Sequence, residues 1–263
     1  MPIPHSPIVS IDWLSKHLND PDLLLVDVRP AMAYAAAHLP GAISVDLAPA
    51  KLSSSSVAAL EAWREQLKEV IQSAGITPDR TVVFYEDISG TMAPYGVWLL
   101  DAAGLGNGAM LDGGIRGWHA AGLPLSNEPV AATRVDTAIA PHPAVIATAD
   151  DILADLAAEN GTTQRVDTRA AHEHGAGTIP GSVHIDWTSH LDPATGAFKP
   201  MDELAAMYDA AGLDKEQETT SYCAGGFRAA NTYVVMRALG FAHARNYAPS
   251  WGEWGMRPDT PKA

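Results

Sequence analysis

The chain of 263 residues has a single cysteine, Cys223. That excludes an intramolecular disulfide, and a lone thiol suits a reducing compartment, so a cytoplasmic protein is expected. Positive charge is scarce as well: 17 Lys and Arg stand against 31 Asp and Glu, a formal net charge of -14. Nucleic-acid binding relies on Lys and Arg neutralising phosphates, so no such partner is expected. Long apolar runs are missing too. No segment approaches the roughly eighteen apolar residues of a membrane span, so no membrane partner is expected. The opening MPIPHSPIVS is broken by prolines and lacks the basic and apolar regions of a secretory signal. What remains is ordinary globular composition, 47% hydrophobic and 18% charged, with length enough for two modest cores.

The chain repeats itself. LLLVDVRPAMAYAAAHLPGAISVDL (23–47) matches TQRVDTRAAHEHGAGTIPGSVHIDW (163–187) at one constant offset, pairing Asp27 with Asp167, Arg29 with Arg169, Pro40-Gly41 with Pro180-Gly181 and Asp46 with Asp186. Further on, TVVFYEDISGTMAPYGVWLLDAAG (81–104) matches TTSYCAGGFRAANTYVVMRALG (219–240), which sets Tyr85 opposite Tyr222 and Glu86 opposite Cys223. A duplicated unit implies two similar domains. Residues 1–126 form the first, 144–263 the second, and the Pro-, Thr- and Ala-rich stretch 127–143 reads as an extended linker.

Within each half, short apolar runs alternate with helical periods. Residues 23–28 and 81–85 read as buried strands. Residues 57–72 carry helical spacing in Leu60, Trp63, Leu67, Val70 and Ile71 ahead of a Gly75 stop, and 93–103 read as another helix. This alternation predicts α/β domains with mostly parallel sheets, whose ligands sit beyond the carboxyl ends of the strands. Cys223 falls at such a place, after TTSY and before AANTYVVMRAL.

The loop Cys223-Ala224-Gly225-Gly226-Phe227-Arg228 has the makings of a nucleophile site. Glycines let peptide N–H groups converge on one point at a helix start, where they stabilise an anion such as a thiolate. Arg228 would add a permanent positive charge for an anionic substrate. Taken singly, each feature has a plainer meaning: a lone cysteine is often a small core residue, and an arginine near a helix is often only a surface group. The joint order of strand, cysteine, glycines, arginine and helix favours the reactive reading. Four residues separate Cys223 from Arg228, a shorter loop than the one that wraps phosphate in protein tyrosine phosphatases, so the spacing favours sulfur chemistry over phosphoryl chemistry.

With VDVRP and HLPGA in the first half, VDTRA and TIPGS in the second, YCAGGFRA at the loop and SWGEWG near the end, the sequence resembles the tandem-domain rhodanese family of sulfurtransferases. This family includes thiosulfate and 3-mercaptopyruvate sulfurtransferases. The resemblance implies an α/β fold of two tandem rhodanese-like domains, each a mostly parallel sheet flanked by helices, with the first domain non-catalytic. It implies a persulfide on Cys223, stabilised by the N–H groups of Ala224, Gly225, Gly226, Phe227 and Arg228, with Arg228 assisting donor binding. Arg169 becomes a candidate for binding the substrate anion or orienting the loop; a structural pairing with Asp167 is the alternative. His172 and His174 receive no role, and Thr178 stands where the family usually has the histidine that His38 supplies in the first half. No metal or organic cofactor is implied. The partners implied are a small-molecule sulfur donor and a thiol or cyanide acceptor. Thiosulfate is the expected donor because the terminal arginine suits a dianion. The alternatives are 3-mercaptopyruvate and a relay that delivers the persulfide to a protein acceptor.

Overall fold

The short buried runs become parallel strands. In the computed structural model, which describes residues 6–159 and 161–263, the first half supplies β1 (Ile8–Val9), β2 (Leu23–Asp27), β3 (Ile43–Ser44), β4 (Thr81–Tyr85) and β5 (Gly108–Leu111). They form one sheet in the order β1-β5-β4-β2-β3, with every pairing parallel. The second half supplies β6 (Gln164–Asp167), β7 (Ser182–His184), β8 (Thr219–Tyr222) and β9 (Ala244–Asn246), ordered β7-β6-β8-β9 and again all parallel. In place of a strand matching β1, the described residues of the second half show a parallel bridge from Ile146 to Asn246.

Register confirms the repeat. Asp27 lies beside Tyr85 across β2 and β4, and Asp167 beside Tyr222 across β6 and β8. Glu86 and Cys223 each follow that tyrosine, so they leave equivalent strands at equivalent points. The helices expected from periodicity are present at Val57–Ser73 and Met92–Ala102, and the first turns off near Gly75, whose φ is +70°. The helix after the cysteine spans Phe227–Ala238 and is buried without a break from Ala229 to Met236. A helix enclosed on all sides shows no polar stripe.

The chain divides into two compact units. The first comprises Met1–Lys51, Trp63–Pro141 and Leu191–Phe198; the second comprises Leu52–Ala62, His142–His190 and Lys199–Ala263. Two short segments thus group with the unit opposite to their place in the sequence. The stretch 127–143 has neither helix nor strand before the short 3-10 turn Pro143–Val145, and its residues to 141 belong to the first unit. Backbone bonds from Val135 to Gln72 and from Ala140 to Ala103 fasten it there. In the second unit, Glu253 accepts hydrogen bonds from the hydroxyls of Ser54, Ser55 and Tyr247, which ties the segment 52–62 to the chain beyond β9.

Each unit has its own core. Leu25, Val83, Tyr85, Ala109 and Trp118 pack together in the first, and Ile152, Ile179, Tyr222, Tyr247 and Trp254 in the second. β8 is buried although all four of its residues carry hydroxyls; Ser221 bonds its hydroxyl to the carbonyls of Ala229 and Arg245. No helix among the described residues is long and apolar enough to cross a membrane.

The Tyr222 hydroxyl accepts the buried N–H of Ile179 at 3.0 Å. Replacing Tyr222 with Phe removes that acceptor and should cost roughly 1–3 kcal/mol, the usual penalty for a stranded buried donor. Urea unfolding followed by circular dichroism measures this; a loss below about 0.5 kcal/mol would show that the hydroxyl carries no structural weight.

Candidate active site

In a parallel sheet every carboxyl end lies on one edge. The chain leaves β6 toward β7 on one side and returns to β8 on the other, so the ends of β6 and β8 flank a crevice where the strand order reverses. Asp167 ends β6, and Cys223 follows Tyr222 at the end of β8.

Asp167 organises this edge. Its carboxylate is fully buried and pairs with Arg169 through Nε at 2.9 Å and Nη2 at 2.6 Å. The Tyr222 hydroxyl, Thr178 Oγ1 and His174 Nδ1 all lie within 3.1 Å of Oδ2. Burial alone would raise the Asp167 pKa, but hydrogen bonds from Arg169 and His174 hold it down at about 2. Arg169 donates onward to the carbonyl of Gly177 at 2.6 Å and lies 4.4 Å from the centre of the Trp251 ring. The first unit repeats the clasp: Arg29 grips Asp27 and the carbonyl of Ala37, and Leu39 N–H bonds the Tyr85 hydroxyl.

Around Cys223 the loop turns its carbonyls outward. Trp251 N–H bonds the carbonyl of Cys223 and Gly252 N–H that of Ala224, both at 2.9 Å, while the Asn246 side chain donates to the carbonyl of Gly226. With those acceptors satisfied outside, the amides can face in: Gly225 N–H reaches the Cys223 sulfur at 3.4 Å and Gly226 N–H at 3.1 Å. Gly226 precedes the buried helix with φ at +91°, and a Cβ there would stand 2.6 Å from the carbonyl oxygen of Ala248. No other residue fits that turn. The Cys223 N–H is held by the Ser250 hydroxyl at 3.0 Å, from a backbone with φ at +57°, rare outside glycine.

Of the residues singled out in the sequence, the fold brings Cys223, Ala224, Gly225, Gly226, Phe227 and Arg228 together in the loop and first helical turn, and sets Arg169 at the end of the neighbouring strand. Arg169 is only 2% exposed and its guanidinium is engaged by Asp167 and Gly177. Arg228 forks onto Glu173 at 2.6 and 2.9 Å. Its pKa is raised first by Glu173, against the effect of burial, and further by the Cys223 sulfur beside it. Glu173 is in turn held down at about 2 by Arg228. Thr178 is well used despite standing in the place of a histidine, since its hydroxyl reaches Asp167 and Tyr222.

Sequence reasoning passed over Glu173, Ser250 and Trp251 and gave His174 no role. A signal existed for two of them, because Ser250 and Trp251 open the SWGEWG segment; Glu173 and His174 lie within a repeat whose first half has Ala33 and Tyr34 at those places and so gives no hint. In the first unit, Glu86 fills the matching position with its own carboxylate. Oε1 accepts the N–H groups of Met92 and Ala93 at 2.7 and 2.9 Å, while burial pushes the pKa up.

A thiol held by inward amides between a parallel strand and a buried helix, with a carboxylate in its place in the repeat, defines a tandem α/β protein in which one unit carries the sulfur and the other a carboxylate. The chain belongs to the rhodanese-like family, whose domain model matches residues 10–121 and again 148–257. It is 34% identical over 256 residues to a thiosulfate sulfurtransferase of Azotobacter vinelandii, covering 94% of this chain and 93% of that protein. It is 29% identical over 277 residues to the sulfur carrier protein TtuD of Thermus thermophilus, covering 97% and 96%. The crystal structure of SseA from Escherichia coli, described as a 3-mercaptopyruvate sulfotransferase, superposes with a TM-score of 0.79 at 26% identity, over 94% of this chain and all of that one.

The depressed carboxylates predict an acid limb. A carboxylate whose pKa falls on folding contributes stability that is present above its unfolded value, 3.8 for Asp167 and 4.5 for Glu173, and lost as the pH drops toward about 2. Unfolding free energy from urea titrations should therefore be steady down to about pH 4.5 and fall by on the order of 2 kcal/mol on approaching pH 2. A flat profile across that interval would rule out the charged clasp.

Proposed function

We propose that this sulfurtransferase takes the outer sulfur of thiosulfate onto Cys223 and passes it to a thiophilic acceptor. The observation that carries the reading is the pair of amides, Gly225 and Gly226, aimed at the only sulfur nucleophile in the chain. The Cys223 thiolate attacks the outer sulfur of the donor, the sulfur–sulfur bond of thiosulfate breaks, and sulfite leaves with the bonding pair. The product is a cysteine persulfide anion, whose charge lies where amides and a helix start can stabilise it. An acceptor such as cyanide or a thiol attacks the terminal sulfur, the persulfide bond breaks, and the thiolate returns.

Arg228 stands beside the sulfur and offers the anionic donor a positive charge that it shares with Glu173. Arg169 acts as a positioning group: by bracing Trp251 and the Gly177 carbonyl, it holds the loop that Trp251 N–H anchors. Thiosulfate is favoured as donor by the name of the Azotobacter vinelandii relative, and 3-mercaptopyruvate is the alternative suggested by SseA. The sulfur carrier of Thermus thermophilus favours a second reading, in which a protein is the physiological acceptor. A lone reduced thiol fits a cytoplasmic setting.

Incubation with thiosulfate should add one sulfur, roughly 32 Da, to the wild-type mass and nothing to Cys223→Ser, and thiocyanate should form from cyanide only with the cysteine present. No gain from thiosulfate or 3-mercaptopyruvate would sink the stand-alone enzyme and leave a protein-bound donor. Gly226→Ala, which forces the loop off the Ala248 carbonyl, should slow persulfide formation at least roughly tenfold by misdirecting the amides; an unimpaired variant would mean the amides do not stabilise the charge.

A further inference from the structure

The loop has less free positive charge than its sequence suggests. Two arginines stand beside it, and both are paired. Arg169 is closed onto Asp167, and Arg228 gives both terminal nitrogens to the two oxygens of Glu173. The second pair is half-buried, with side chains 24% and 28% exposed, so solvent screens it only in part. Glu173 is also fixed from its own side, because Oε2 accepts the N–H of Ala170 at 3.1 Å, at the start of the short helix Ala171–Gly175. A carboxylate so held stays opposite Arg228 without help from a ligand.

We propose that Glu173 is a specificity-determining residue for the sulfur donor: by occupying the Arg228 fork, it penalises a dianionic donor relative to a singly charged one. An incoming thiosulfate dianion meets the arginine only by competing with a carboxylate already seated there, and it feels that carboxylate's repulsion as it nears Cys223. A singly charged donor such as 3-mercaptopyruvate feels about half the repulsion. The discrimination falls mainly on binding, since Glu173 opposes the donor's charge before any bond to sulfur forms. Glu173 acts through Arg228 and the local field and makes no bond to the reacting atoms. The inference rests on the sulfurtransferase reading for its substrates, while its electrostatic content belongs to the site itself.

The test compares wild type with Glu173→Gln, an isostere that keeps an oxygen for Ala170 N–H, with Glu173→Asp, and with Glu203→Gln as a remote exposed control. Steady-state kcat and KM are measured for thiosulfate and for 3-mercaptopyruvate, with cyanide as acceptor. Glu173→Gln should raise the ratio of kcat/KM for thiosulfate over that for 3-mercaptopyruvate roughly three- to tenfold, chiefly through a lower KM for thiosulfate. Glu173→Asp, which keeps the charge, and Glu203→Gln should keep that ratio within about twofold of wild type. An unchanged ratio in Glu173→Gln, or an equal rise in Glu203→Gln, overturns the proposal.

A second readout needs no turnover. Cys223 is the only cysteine, so its alkylation by anionic iodoacetate and by neutral iodoacetamide, each forming a sulfur–carbon bond and releasing iodide, can be followed by intact mass. The ratio of the iodoacetate rate to the iodoacetamide rate should rise roughly threefold or more in Glu173→Gln. If wild type transfers sulfur from neither donor, the functional reading fails by itself, and this ratio still decides Glu173: a rise upholds the charge gate, and an equal ratio ends it.

Discussion

The buried carboxylate of Asp167 is the constraint on which the reactive edge of the second unit depends. It pairs with Arg169, lies within reach of Tyr222, Thr178 and His174, and is fully buried, so its charge has to be met by protein groups. Meeting it fixes three pieces of chain together. Tyr222 belongs to β8 and immediately precedes Cys223; Arg169 braces Trp251 and Gly177; Trp251 N–H in turn holds the Cys223 carbonyl. Removing one partner would leave a buried charge uncompensated, which is why such a network is costly to break even where its net contribution to stability is modest.

The two units show what the same scaffold does with different residues at one point. In both, a parallel strand ends in a tyrosine beside the aspartate–arginine clasp, and a helix follows. Where the second unit has a sulfur met by inward amides, the first has Glu86 with its own carboxylate bonded to the amides of Met92 and Ala93. The anion-binding tendency of a helix start is thereby satisfied internally in the first unit. In the second, the loop can hold inward amides only because its carbonyls find outside donors in Asn246, Trp251 and Gly252, so the geometry at the sulfur is set by chain some 20 to 30 residues downstream.

Much of this was readable in one dimension. The repeat identified the two domains and paired Tyr85 with Tyr222 before any register was known, because duplicated strands preserve the residues that face the same neighbours. The strand at 81–85 and the helices at 57–73 and 92–102 follow from apolar runs and helical spacing, whereas the strand at 219–222, which has no apolar run, follows from its match to 81–85. Cys223, the glycines and Arg228 stood out because a nucleophile loop is contiguous. Glu173 and Ser250 did not, since the contacts that give them meaning join residues 55 and 27 positions from their partners in the chain. Arg169, expected to bind an anion or orient the loop, with a structural pairing to Asp167 as the alternative, has its guanidinium engaged by Asp167 and the Gly177 carbonyl.

By itself, the sequence determined the α/β class, the tandem repeat, the identity of the one thiol and the glycine loop that carries it, since each of these is fixed by local pattern or by comparison of the chain with itself. Only the tertiary structure decided how charged the site is. An arginine in a sequence is a full positive charge, but Arg228 and Arg169 lie in the folded chain against Glu173 and Asp167, and electrostatics depends on distance in space, where opposite charges within hydrogen-bond range largely cancel for any ligand farther away.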